Sequence, residues 1–139
     1  MKQHWNATFE LGNELIDGQH KTLVEETDKL SNKLESGNIG KEEILETLRF
    51  LATYAVQHFT SEEKVSKDAD YPNRLQHNSI HNEFKKTVGE VLEKYVRLTS
   101  DEECTAFAKD ICDFLTNWLA KHIKGDDFLL FQYIKSKKN

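Results

Sequence analysis

Apolar residues recur along this chain at steps of three and four, the spacing of one face of a helix, and they do so in four separate stretches. The first stripe runs Ile16, His20, Leu23, Thr27, Leu30, Leu34, and the second Ile44, Leu48, Leu51, Ala55, His58, Glu62, Val65. The third is His77, Ile80, His81, Phe84, Val88, Val91, Tyr95, and the fourth Phe107, Ile111, Leu115, Trp118, His122. Each predicts a helix with one buried face. Capping chemistry sets the ends. Asp17 is a good N-cap for the first helix, and Ser36-Gly37 closes it. Lys41-Glu42-Glu43 opens the second with acids in its first turn. Pro72 suits the first turn of the third, and Ser100 with Glu103 makes a capping box for the fourth. The predicted helices cover about 18–36, 41–66, 72–97 and 101–124.

Connections this short favour antiparallel neighbours, so the expected fold is all-α: an antiparallel up-down-up-down four-helix bundle, one domain over 1–139. An N-terminal arm carrying Trp5, Phe9 and Leu11 packs over it, with His4 as an arm histidine outside any helical register. Beyond Gly125 a short C-terminal helical tail, DDFLLFQYIKSKKN, is expected to add one or two turns before a basic, frayed end.

Composition narrows the function classes. The chain has 139 residues, 37% of them hydrophobic, enough for one core. Its net charge of −5, from 24 acidic and 19 basic side chains in short mixed runs, carries no basic footprint for nucleic acid. No segment approaches the ~20 apolar residues of a membrane span, and no apolar run marks a secretory signal, so a cytoplasmic protein is expected. Cys104 and Cys112 stand eight apart on one predicted helix, ~12 Å along its axis, too far for a disulfide; they are expected as buried free thiols. A monomer or weak homo-oligomer fits this size.

Each of the four stripes carries, toward one end, histidine or glutamate that a core does not favour. His58 and Glu62, four apart, lie near the end of the second helix, and His77 and His81, four apart, near the start of the third. His20 lies near the start of the first stripe and His122 ends the fourth. Antiparallel order brings all of them to one end of the bundle, within ~10 Å along its axis. A single inward histidine usually finds a hydrogen-bond partner in the core. Five at one level with a carboxylate would each need one, and a shared cation satisfies them together. A second carboxylate stays open between two candidates. Asp126 follows His122 by four residues and faces the same way on a regular helix, whereas Asp127, at five, points about 140° away. A widened turn at Gly125, of the π-bulge kind, would bring Asp127 back.

The segments IDGQH ending at His20, HFTSEE from His58, YPNRLQHNSIHNEF from Tyr71 and WLAKHIKGDD from Trp118 resemble the hemerythrin family, in its single-domain bacterial form. They are spread along nearly the whole chain. The resemblance implies a non-haem di-iron centre, two Fe ions with an oxo or hydroxo bridge, held by His20, His58, Glu62, His77, His81, His122 and Asp127. It favours Asp127 over Asp126. If Glu62 and Asp127 bridge the irons, then His77, His81 and His122 close the shell of one, and His20 and His58 leave the other a vacancy. The implied function is reversible O2 binding, for carriage, storage or delivery, by a protein that is not an enzyme. O2 is the expected ligand, with a redox or O2-accepting protein as a further partner. Leu23, Phe59, Trp118 and Leu119 are expected around the open iron, and Gln57, Asn78 and Glu25 are candidates to hold the outer imidazole nitrogens.

The rivals are a di-iron enzyme or a sensor on the same fold, acting on peroxide, nitric oxide or damaged iron centres. A carboxylate-rich oxidase is disfavoured, because no histidine has a glutamate three residues before it. A structural zinc site is disfavoured by a donor set of seven without cysteine.

Overall fold

A computed structural model of the chain describes residues 4–37 and 39–137. It is the expected four-helix bundle, with no strand among the described residues. Six α-helical segments make its four rods: α1 (Glu14–Glu35), α2 (Lys41–Phe50), α3 (Val56–Asp68), α4 (Arg74–Tyr95), α5 (Asp101–Lys121) and α6 (Phe128–Lys137). A π-helical turn at Leu51–Ala55 joins α2 to α3, and another at His122–Asp127 joins α5 to α6. The rod α1 lies against α2, α3 and α5, and α3 lies against α4. Rings close the seam between α4 and α5: Phe84 packs on Trp118 with centroids 4.3 Å apart and on Phe114 at 5.9 Å.

Four boundaries differ from the sequence expectation. The first rod starts at Glu14, four residues earlier than predicted, because Asn13 is the N-cap and accepts from the Ile16 N–H. Asp17 sits inside the first turn and reaches back, accepting from the Leu11 and Gly12 N–H groups at 2.8 and 3.1 Å. It therefore ties the arm to the helix it was expected to begin. Within the arm, Ala7–Phe9 form a 3₁₀ turn capped by Asn6, and Phe9 and Leu11 are buried. His4 is exposed there, as expected.

The second difference is at Pro72. It lies in the turn before α4 rather than in its first turn, since α3 runs on to Asp68. That helix closes on Asp70, whose φ of 52° is left-handed. Asp70 N–H donates to the Lys67 carbonyl and Tyr71 N–H to the Ser66 carbonyl, the paired bonds of a Schellman end. Aspartate takes this conformation less readily than glycine but better than most residues. Third, α4 ends at Tyr95. Fourth, the chain does not break at Gly125. The fourth rod continues through the π-turn into α6, ten residues whose Leu130 and Phe131 are buried. The capping box at Ser100 and the left-handed Gly37 after α1 are present as read. The basic end expected to fray, Lys138 and Asn139, lies outside the described residues.

Ile16, Leu30, Ile44, Leu48, Leu115 and Leu130 are almost wholly buried. At about 1.5–3 kcal/mol for each such side chain, they supply what the polar end of the bundle cannot. Cys104 and Cys112 are buried, unpaired members of this core, and burial pushes the Cys112 thiol up to about 11. No helix is long and apolar enough to cross a membrane among the described residues.

Candidate metal centre

Antiparallel rods bring His20 from α1, His58 and Glu62 from α3, His77 and His81 from α4, and His122 and Asp127 from the second π-turn to one level. All seven are 5% exposed or less. Burying this many ionisable groups carries a penalty of several kcal/mol per ion unless close partners offset it. Something they share must offset that penalty.

The cluster has an internal division. Glu62 Oε2 lies 3.0 Å from the Nε2 atoms of both His20 and His58. Its other oxygen, Oε1, lies 2.9–3.3 Å from the Nε2 atoms of His77, His81 and His122. Asp127 divides in the same sense. Its Oδ2 is 3.0 Å from His20, and its Oδ1 is 2.8 Å from His77 and 3.1 Å from His122. Two carboxylates thus span two unequal groups of imidazoles, three on one side and two on the other.

Hydrogen bonds on the outer faces fix what the inner faces offer. His58 Nδ1–H donates to Gln19 Oε1 at 2.8 Å, and Gln19 is itself oriented by donating to Ser61 Oγ. His81 Nδ1–H donates to Glu63 Oε2 and His122 Nδ1–H to Asp126 Oδ2, both at 2.9 Å. A neutral imidazole with its proton on Nδ1 presents a bare lone pair at Nε2. Those lone pairs face carboxylate oxygens, and the Nε2 atoms of His81 and His122 face one another at 3.0 Å. Both Asp127 oxygens and His58 Nε2 are buried without a well-directed hydrogen bond, although nitrogen or carboxylate atoms lie about 3 Å from them. Lone pairs converging on lone pairs repel unless a cation lies between them. Ligands at right angles around a metal at about 2.1 Å stand about 3 Å apart, which matches these separations. The donors form two overlapping sets, Glu62, His77, His81, His122, Asp127 and His20, His58, Glu62, Asp127, either of which could hold a metal ion.

Without a cation, protons take that role. Burial alone would lower His20 and His77, but hydrogen bonding and charge from Asp127 and Glu62 raise both to about 9. His122 is also raised well above its ordinary value against burial, by Asp127, Asp126 and Glu62. His58 goes the other way, because burial outweighs Glu62. Burial pushes Glu62 upward, yet bonds from His122, His20, His58 and His77 hold it well below the usual carboxylate range. Asp127 is lowered too, His122 and His20 prevailing over burial and the Glu62 charge.

The π-turn decides between the adjacent aspartates. A residue five positions on in a π-turn comes round much as one four positions on does in an α-helix, and Asp127 therefore enters the cluster. Asp126, which a regular helix would favour, instead holds the outer nitrogen of His122. The outer partners Gln57, Asn78 and Glu25 are replaced by Gln19, Glu63 and Asp126. Gln57 takes part only through its carbonyl, which accepts from Ser61, and the Asn78 oxygen is buried without a partner. The signal in the sequence was adjacency, since each true partner stands next to an inward residue and so reaches the seam between rods. One lining residue also moves. Phe59 lies between the two groups, stacked on His81 at 4.1 Å and tilted on His58 at 5.7 Å. Trp118, expected on the two-histidine side, stacks on His122 at 4.5 Å and so belongs to the three-histidine side. Leu23 and Leu119 are buried.

Residues 11–134 match the family model of the hemerythrin HHE cation-binding domain. A bacteriohemerythrin of Pseudomonas aeruginosa is 33% identical over 125 residues, 88% of this chain and 75% of that protein. A myohemerythrin of Theromyzon tessulatum is 33% identical over 124 residues, 89% of this chain and 87% of that one. A bacteriohemerythrin of Clostridium acetobutylicum is 28% identical over 127 residues, 88% of this chain and 94% of its own. With its fold and its buried donor cluster alike, the chain belongs to the hemerythrin family.

Proposed function

We propose that the chain binds O2 reversibly at a non-haem di-iron centre, held by His20, His58, Glu62, His77, His81, His122 and Asp127 and bridged by oxo or hydroxo. The observation that carries this is the division of Glu62 and Asp127 between three imidazoles on one side and two on the other. Equal shells would leave no preferred place for a ligand, whereas the two-histidine side is one protein donor short. When bound there, two irons supply the electrons with which a diatomic ligand attaches and leaves unconsumed.

The remaining work falls to the chain. Gln19, Glu63 and Asp126 keep protons on the outer nitrogens, so the inner ones stay free to coordinate. Phe59, Leu23 and Leu119, all 3% exposed or less, exclude water and protons that would favour release of a reduced oxygen species. Two buried free thiols and an acidic balance are in keeping with a cytoplasmic protein that works without nucleic acid.

The test is to quantify iron, reduce the protein anaerobically, admit air and follow the visible spectrum. Two irons per chain, with a charge-transfer band that vanishes on deoxygenation, are expected. Immediate bleaching without an oxygenated form would overturn reversible binding in favour of peroxide, nitric oxide or iron-repair chemistry.

A further inference from the structure

We infer that the two halves of the centre fill in order, the three-histidine pocket first, and that Glu63 and Asp126 are positioning residues that make it the tighter one. The inference rests on the metal-binding part of the proposal above, and it does not depend on what the loaded protein does with O2.

Three observations lead to it. The first is the outer hydrogen bonds. In the three-histidine pocket, His81 and His122 each donate Nδ1–H to a carboxylate, Glu63 or Asp126, at 2.9 Å. Hydrogen bonds to an ionised acceptor are roughly twice as strong as neutral ones. They hold the ring in place and raise the basicity of its inner nitrogen. In the other pocket His58 donates to a neutral amide, Gln19, and His20 Nδ1 is buried with no hydrogen bond. One ring there is held by a weaker partner, and the other has no outer hydrogen bond to hold it.

The second is donor count and charge. Five residues face the first pocket and four the second, and Glu62 and Asp127 belong to both. A cation in the first pocket therefore uses up part of the negative charge that the second would need. It also repels the next cation across the shared carboxylates.

The third is access. A cleft of about 240 Å³ lined by Ile80, Trp118, Lys121, His122 and Asp126 opens onto the three-histidine side. A second, of about 120 Å³, reaches His77 and is again lined by Asp126. The side chains of Asp126 and Glu63 are 32% and 29% exposed, so a carboxylate meets a hydrated cation before the buried donors do.

Zinc is the probe, being diamagnetic and inert to reduction. Metal-free protein is titrated with zinc while calorimetry records the steps and imidazole nitrogen–proton NMR spectra record which rings respond. The first equivalent should move His77, His81 and His122, and the second His20 and His58. Glu63→Gln and Asp126→Asn should each weaken the first step about 10–100-fold with little change in the second, and Gln19→Glu should tighten the second. Circular dichroism checks each variant, and if one fails to fold, the order of ring signals in the unaltered protein still decides. All five rings moving together, His20 and His58 moving first, or a first step indifferent to both carboxylate variants would each overturn the inference. No heat and no shift with zinc would overturn the metal reading itself, a result distinct from binding in the wrong order.

Discussion

At the scale of single residues, two neighbouring carboxylates, Asp126 and Asp127, hold opposite faces of one imidazole and have different duties. On the proposed di-iron reading, Asp127→Asn removes a charge shared by both pockets and should lower the iron content from the expected two per chain to one or none, measured by elemental analysis. Leu119, 3% exposed, tests the apolar lining. Leu119→Ser should speed autoxidation of the oxygenated protein and lower stability by about 2–4 kcal/mol through the cavity and the buried hydroxyl. Iron analysis and the decay of the visible band separate the two effects, and an unchanged decay would count against a role for this side chain in excluding water. The inward histidines and Glu62 could be read from the sequence because position on a stripe fixes direction. The outer partners Gln19 and Glu63 were marked only by adjacency to inward residues, because the distance between rods selects them and periodicity does not record it; Asp126 shares a rod with His122, and its step of four was legible.

At the scale of elements, helix ends were legible where the chemistry was local. Ser100 with Glu103, and Gly37 after α1, behave as written. Asp17 was misread because a good N-cap is also a good acceptor for the arm's N–H groups, and Asn13 was free to cap in its place. Asp70 shows the same limit, a left-handed helix end without glycine. Asp70→Gly should therefore raise stability by up to about 1 kcal/mol and Asp70→Ala should not, since only glycine escapes the left-handed penalty. Paired urea denaturation curves would check this. The π-turn at Leu51–Ala55 left no mark in the stripe, because Leu51 and Ala55 keep a step of four on either geometry.

At the scale of the whole molecule, the bundle carries a polar end that its apolar end must sustain, and this makes stability depend on what fills the cluster. In metal-free protein His20 and His77 are raised from 6.5 to about 9, so their contribution is complete below pH 6.5 and is lost as pH rises through about 9. Glu62 is lowered, so its contribution is present above about pH 4.5 and is lost on acidification. Metal-free protein should accordingly be more stable at pH 6 than at pH 9, as read by chemical denaturation. With metal bound the slope should flatten or reverse, because protons and cations compete for the same lone pairs. The fold class was visible in the sequence because four stripes with short connections leave few arrangements. The continuity of α5 into α6 was legible only as one of two readings, since Gly125 could either end the helix or widen its turn and spacing alone does not choose between them. That single widened turn sets the rotational phase of everything after it. Wound as a regular α-helix, the same residues would each be turned by about 100°, taking Asp127 off the cluster and Leu130 and Phe131 off the core together. Deleting Gly125 should therefore leave both in register, since a regular helix then brings Asp127 round at four positions after His122. The C-terminal helix and the metal centre are thus clocked by the same extra residue.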